Sequence, residues 1–174
     1  QFGPTSLIDG GLTSQTKGIS FYGLLDDQWY FSVGNYWKFS SGSSLISAAG
    51  APTTINSTSN PYFRVARNQT QGDEAWMYGL FGMRTSLARD PAVAGSASGT
   101  YKDLGVDAEY QHITDTHTWS TQVVLIRETN EWGIRSVGRS HNTSRDTLTT
   151  LKAKVSYNYA RTYTGSLFGF KSRG

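Results

Sequence analysis

From Lys17 onward, hydrophobic and polar residues alternate with a period of two in eight segments, and the 3.6-residue period of an amphipathic helix is absent. The segments fall into four pairs. In the first, Lys17 to Leu25 and Gln28 to Phe39 flank Asp26-Asp27, a tight-turn signal between alternating runs. Trp29, Phe31, Val33, Trp37 and Phe39 share one face of the second strand, and Tyr30, Ser32, Gly34, Tyr36 and Lys38 share the other. The second pair, Tyr62 to Thr70 and Ala75 to Leu87, turns over Gln71 to Glu74. Here Phe63 and Val65 are expected to face the same way as Met77, Phe81 and Met83, although Trp76, Tyr78 and Leu80 blur the alternation. The third pair, Tyr101 to Ile113 and His117 to Thr129, sets Leu104, Val106, Ala108 and Tyr110 against Asp103, Gly105, Asp107, Glu109 and Gln111. The fourth, Thr147 to Ala160 and Thr164 to Ser172, sets Leu151, Ala153, Val155, Tyr157 and Tyr159 against Thr150, Lys152, Lys154, Ser156 and Asn158.

The connections alternate in length. Short turns lie at 26–27, 71–74, 114–116 and 161–163, and long polar loops at 40–60, 88–100 and 130–146. Short turns on one rim and longer loops on the other are the plan of a transmembrane barrel. The pattern therefore predicts an all-β chain, an antiparallel up-and-down β-barrel or partial barrel of about eight strands that spans a membrane. It forms one domain over 1–174, with an irregular N-terminal segment over 1–16. In a soluble barrel the larger apolar residues point inward, whereas in a membrane barrel they point to lipid and the interior is polar. Inward-facing candidates are Asp103, Asp107, Glu109, Lys152 and Lys154, because exposing Lys to lipid at midplane costs roughly 2–4 kcal/mol. Asp107 and its neighbours are expected to meet the lysines across the intervening strand. Trp29, Trp37, Trp76, Tyr101, Trp119, Tyr159 and Tyr163 recur near strand ends, as in interfacial girdles.

Composition agrees with strands and turns: the 174 residues include 21 Ser, 20 Thr and 19 Gly. The longest aliphatic run, Val123 to Ile126, excludes a membrane-spanning helix, which needs about 20 apolar residues. The absence of Cys excludes disulfides, thiolate zinc sites and CxxCH haem attachment within these residues. A net charge of +3 with scattered basic residues gives no nucleic-acid footprint. The chain opens on Gln1 without a signal peptide, which reads as a processed or partial product.

Several stretches resemble a family of Gram-negative outer-membrane β-barrels usually labelled cytochrome c. They are Asn60-Pro61-Tyr62-Phe63-Arg64-Val65-Ala66, Tyr78-Gly79-Leu80-Phe81-Gly82-Met83, the run from Tyr101 to Gln111, Asp146-Thr147-Leu148 and the run from Lys152 to Tyr159. Gly10-Gly11-Leu12 and the Tyr22 to Tyr36 hairpin are similar too. The resemblance implies a barrel in the bacterial outer membrane that serves extracellular electron transfer or acts as a porin. It also implies haem on a partner or on a segment outside this chain, and a multihaem cytochrome, further barrel chains and outer-membrane lipid as partners. Two departures stand out: there is no CxxCH, and the chain ends at Lys171-Ser172-Arg173-Gly174 without a terminal aromatic strand. It therefore reads as part of a longer barrel or as a shortened eight-stranded relative. Arg67 interrupts an otherwise apolar face. The functional expectation is a passive conduit, either a porin or an electron-transfer sheath. Two alternatives stay open, a secreted eight-stranded barrel that binds a small apolar ligand and a barrel segment assembled with other chains.

Candidate chemistry is sparse. His112, His117 and His141 are too few, without carboxylates or thiolates nearby, to signal a metal site. His117, Ser120 and Asp115 supply the residue types of a nucleophilic triad, but residues 117 and 120 fall on opposite faces of a strand, so no enzyme is expected. Arg135, Arg139 and Arg145 in the last long loop are candidates for anion contact, with lipopolysaccharide phosphates or with an anionic partner at the rim.

Overall fold

The computed structural model describes Ile8, residues 16–38, Ile55 and residues 59–88, 98–132 and 145–174. Alternating residues with β-branched and aromatic side chains build eight strands: β1 (Thr16–Leu25), β2 (Trp29–Lys38), β3 (Asn60–Gln71), β4 (Glu74–Ala88), β5 (Ser98–Ile113), β6 (His117–Trp132), β7 (Arg145–Tyr159) and β8 (Tyr163–Arg173). They form one antiparallel up-and-down sheet in the order β1 to β8. Among the described residues no helix is long and apolar enough to cross a membrane, which says nothing of crossing by strands.

The strands run further into the long connections than alternation predicts. Ser98, Gly99 and Thr100 pair with Ala88, Leu87 and Ser86, and on β6 Asn130, Glu131 and Trp132 extend the opposite ladder of β5. Backbone hydrogen bonding continues there after the side-chain pattern has turned polar. At its other end β7 stops at Tyr159, and Ala160 belongs to the turn.

The registers link one face across the whole sheet. Gly23, Phe31, Val65, Leu80, Val106, Leu125, Leu151 and Lys171 are successive partners from β1 to β8. This line starts near the turn end of β1 and finishes near the loop end of β8. Such a climb is the stagger that closing a sheet into a barrel requires. The sheet is nevertheless open, with β1 and β8 as its two edges.

The second pair corrects the sequence reading. Val65 partners Leu80, and Phe63 partners Gly82, so Phe63 and Val65 share their face with Trp76, Tyr78 and Leu80. Met77, Phe81 and Met83 occupy the opposite face. β4 is apolar on both sides, so hydrophobicity alone does not fix its orientation. The hydrogen-bond register does.

Three short turns require left-handed backbone. Gly72 (φ 59) occupies the first central position between Gln71 and Glu74, where glycine carries no Cβ penalty. Asp26 and Asp27 (φ 50 and 53) form the first turn, closed by the Gln28 N–H donating to the Leu25 carbonyl at 3.1 Å. Aspartate tolerates this region. Ala160 and Arg161 (φ 50 and 55) form the last turn, closed by the Thr162 N–H donating to the Tyr159 carbonyl at 3.0 Å. Neither residue is suited to it, and each left-handed residue of this kind costs roughly 1–2 kcal/mol. Ala160→Asn with Arg161→Gly is expected to raise stability by about 1–2 kcal/mol, read as a higher midpoint of urea unfolding followed by tryptophan fluorescence. An unchanged or lower midpoint contradicts this turn geometry.

Candidate functional site

The two faces of the sheet differ in the opposite sense to a water-soluble protein. On the polar face Asn60, Thr150, Thr85, Glu128 and Asp103 are 0, 1, 2, 4 and 6% exposed. On the apolar face of the inner strands Leu104, Tyr78, Val106 and Leu151 are 54, 50, 48 and 44% exposed, whereas the edge strands are exposed on both faces, with Phe21 and Leu167 on one and Tyr22 and Phe168 on the other. A contiguous exposed apolar surface of this extent marks an interaction with lipid or with another protein.

The polar face is cross-linked side chain to side chain. The Arg64 guanidinium donates from Nη1 to Asp107 Oδ1 at 3.0 Å and from Nη2 to Asp107 Oδ2 at 2.7 Å. This fork joins β3 to β5 across β4, and Gly79 is the residue beneath it: a Cβ there would lie 2.2 Å from Asp107 Oδ1 and 2.9 Å from Arg64 Nη2. The same guanidinium sits 5.7 Å from the centroid of the Phe81 ring, a cation–π contact. Phe81 in turn covers Gly105, where a Cβ would meet the ring at 2.4 Å. Nearer the loops, Asn60 Nδ2 donates to the Tyr36 carbonyl at 2.7 Å, and the Ser86 N–H donates to Asn60 Oδ1 at 3.3 Å, which ties β2, β3 and β4. Asp103 and Glu128 are direct partners between β5 and β6, a like-charge pairing that is unfavourable by itself. The Ile8 N–H donates to Asp103 Oδ2 at 2.8 Å and fixes residue 8 against this face.

All five inward-facing candidates lie on the polar face, since the registers place Asp103, Asp107 and Glu109 in line with Glu128, Val124 and Gln122, and these in line with Leu148, Lys152 and Lys154. Glu109 accepts from Gln111 Nε2. One expectation is corrected. Asp107 pairs away from β7, with Arg64 on β3, because its neighbour toward β7 is Val124 while its neighbour toward β3 is Gly79, which leaves the path open. Arg64 was legible as a charged residue at a polar-face position between Tyr62 and Ala66. The open path over Gly79 requires the register.

The apolar face has three bands. On the turn side Trp29, Trp76, Tyr110, Trp119, Tyr157 and Tyr159 form an aromatic belt, with ring centroids 4.2 Å apart for Trp76 and Tyr110 and 4.5 Å for Trp119 and Tyr157. His117 joins it through an Nδ1 to Tyr157 hydroxyl contact of 2.6 Å. Arg67 lies 5.4 Å from the centroid of the Trp29 ring, so the belt shelters this turn-side cation on the apolar face. Aliphatic residues fill the middle. On the loop side stand Lys17, Arg84, Lys102, Arg127, Arg145, Lys171 and Arg173, against Glu131 as the single acid among the described residues of that band. Lys102 Nζ lies 2.8 Å from both Glu131 oxygens, and this bond, with the nearby positive charges of Arg145 and Arg84, holds the Glu131 carboxyl below the ordinary range.

Of the girdle candidates, Tyr101 is on the polar face, in line with Thr85 and Asn130, because it is odd-numbered on a strand whose apolar residues are even. Trp37 is on the apolar face but at the loop end of β2. Arg145 is exposed at the start of β7 and partners Glu131, whereas Arg135, Arg139 and His141 lie outside the described residues. His117 and Ser120 are on opposite faces, and no group of three metal-ligating side chains occurs among the described residues.

No family model, curated protein or solved structure matches this chain.

The Arg64 to Asp107 fork generates a prediction. Arg64→Gln leaves a largely buried carboxylate unpaired and is expected to cost about 2–4 kcal/mol of unfolding free energy. Gly79→Ala should cost a similar amount, and Arg64→Gln with Asp107→Asn should recover most of the loss. A larger cost for Lys152→Gln than for Arg64→Gln would contradict the assignment of the partner.

Proposed function

We propose that the chain forms the wall of an outer-membrane β-barrel that acts as a passive conduit, either a porin or the insulating sheath of an electron-transfer complex. The observation that carries this reading is the inverted polarity of the inner strands β3 to β7: ionic and amide groups are buried on one face, and aliphatic and aromatic groups are exposed on the other. Lipid is the solvent that makes the second face inexpensive. The band from Leu151 to the belt residue Tyr159 covers nine residues of β7, near the roughly 9–11 tilted residues of a membrane-spanning strand, and the corresponding band on β5, Leu104 to Tyr110, covers seven. The electron-transfer form rests on the family resemblance, with haem carried by a partner such as a multihaem cytochrome or by a segment outside this chain.

The free edges of β1 and β8 need hydrogen-bond partners inside a bilayer, because unsatisfied backbone groups cost several kcal/mol each in hydrocarbon. Pairing β1 with β8 gives an eight-stranded barrel whose interior side chains fill. That form has no lumen for a solute or for an electron-transfer partner. Pairing with further strands, on this polypeptide or on another chain, opens the lumen that a pore or a sheath needs and meets the alternative of a barrel segment assembled with other chains.

Extraction and conductance test the reading. The protein is expected to require detergent for extraction and to insert into planar bilayers. As a pore it conducts, and Asp107→Asn shifts its ion selectivity toward anions while Lys152→Gln shifts it toward cations. As a sheath it inserts without conducting. A protein that is monomeric in buffer without detergent and binds a small apolar ligand contradicts the membrane reading and supports the secreted binder.

A further inference from the structure

Where β3, β4 and β5 reach the loop side, the apolar face carries two adjoining depressions. The lower is a notch of about 310 Å³ over Gly82, walled by Pro61 and Phe63, with Arg84 and Lys102 at its upper lip. Its lining is mostly apolar. The upper is a recess of about 430 Å³ bordered by the hydroxyls of Ser59, Ser86 and Thr100, and it shares Pro61 and Arg84 with the notch. The Phe63 ring lies over Gly82, where a Cβ would be 2.7 Å from it, and so forms part of the floor of the notch. An apolar slot that opens upward into a polar, cationic recess has the polarity sequence of an amphiphile lying along the barrel wall, tail toward the bilayer centre and headgroup toward the loops.

We infer that this double depression seats a phosphorylated membrane lipid of the loop-side leaflet, with an acyl chain in the notch over Gly82 and a phosphate at Arg84 and Lys102. The inference rests on the membrane reading above and adds a ligand to it. Charge complementarity selects the headgroup. Among the described residues, seven cations oppose one acid on the loop-side band, whereas on the turn-side part of the same face Arg67 and Glu74 balance. Lys102 is held by Glu131, so the lip retains the net positive charge of Arg84, with Arg127 and Arg145 on the strands beyond. A phosphate accepts charge-assisted hydrogen bonds from guanidinium in two-point geometry, which a zwitterionic or neutral headgroup does not reward equally. The asymmetry between the two rims assigns the phosphate-rich leaflet to the loop side.

The test is native mass spectrometry of the detergent-purified protein titrated with a hexa-acyl bisphosphoryl diglucosamine lipid, and with the same lipid lacking its phosphates. The phosphorylated lipid is expected to be retained at least about tenfold better, a difference of about 1.4 kcal/mol. Arg84→Gln should remove about that advantage, and Lys17→Gln, on the same band but distant along the sheet at β1, should leave retention unchanged. Inorganic phosphate at tens of millimolar should fail to displace the lipid. Equal retention of the phosphate-free lipid, an Arg84→Gln variant that binds normally, an equal loss in Lys17→Gln, or displacement by free phosphate would each overturn the seat. A folded protein that needs detergent and inserts, yet ignores the lipid phosphate, refutes this inference alone. A protein that is soluble without detergent refutes the membrane reading beneath it.

Discussion

Parity across seven antiparallel ladders is the constraint on which everything else depends. Side chains alternate with a period of two, so the register of each pair decides which half of a strand joins which face. Slipping β5 against β4 by a single residue would carry Asp103, Asp107 and Glu109 to the apolar face and bring Leu104 and Val106 among the buried charges. The unbroken line from Gly23 to Lys171 shows the same parity kept from edge to edge. The short turns maintain it, and two of them do so by holding non-glycine residues in left-handed backbone.

Once parity is set, the polar face has to satisfy itself. Its charged groups cannot all turn to water, so they are joined across strands, and glycines give the joining groups room. Gly79 lets the Arg64 to Asp107 fork cross β4, and Gly105 lets Phe81 lie flat beneath the guanidinium. Ile8 adds a backbone donor to the crowded Asp103 and Glu128 pair. The apolar face needs no such network. Its order is one of levels, with aromatic rings at the turns, aliphatic side chains in the middle and cations at the loops, which matches a solvent that changes with depth.

Much of this was legible in the sequence. β5 and β7 alternate so cleanly that their faces, and the common side of Asp103, Asp107, Glu109, Lys152 and Lys154, follow from period two alone. β4 was not legible in this way, because Trp76, Tyr78 and Leu80 are as hydrophobic as Met77, Phe81 and Met83, and only pairing with β3 separates them. The partner of Asp107 was missed for a related reason. Alternation reports the face of a residue but not its neighbours two strands away, and the missing side chain of Gly79 is a signal only once the register is known. The cationic band was hidden because its members are scattered along the chain from Lys17 to Arg173 and gather only when the strands are laid side by side.

The central claim is that the apolar face meets lipid and the polar face does not. The chain contains no cysteine, so single cysteines can be introduced and labelled without background. An environment-sensitive fluorophore at Val106→Cys, Leu125→Cys or Leu167→Cys, in vesicles whose acyl chains are brominated, should be strongly quenched. The same label at Gln122→Cys or Ser156→Cys should not. Alternating quenching along β6, high at 123 and 125 and low at 122 and 124, is the predicted result. Equal quenching at both parities, or quenching confined to 122 and 124, would contradict the account.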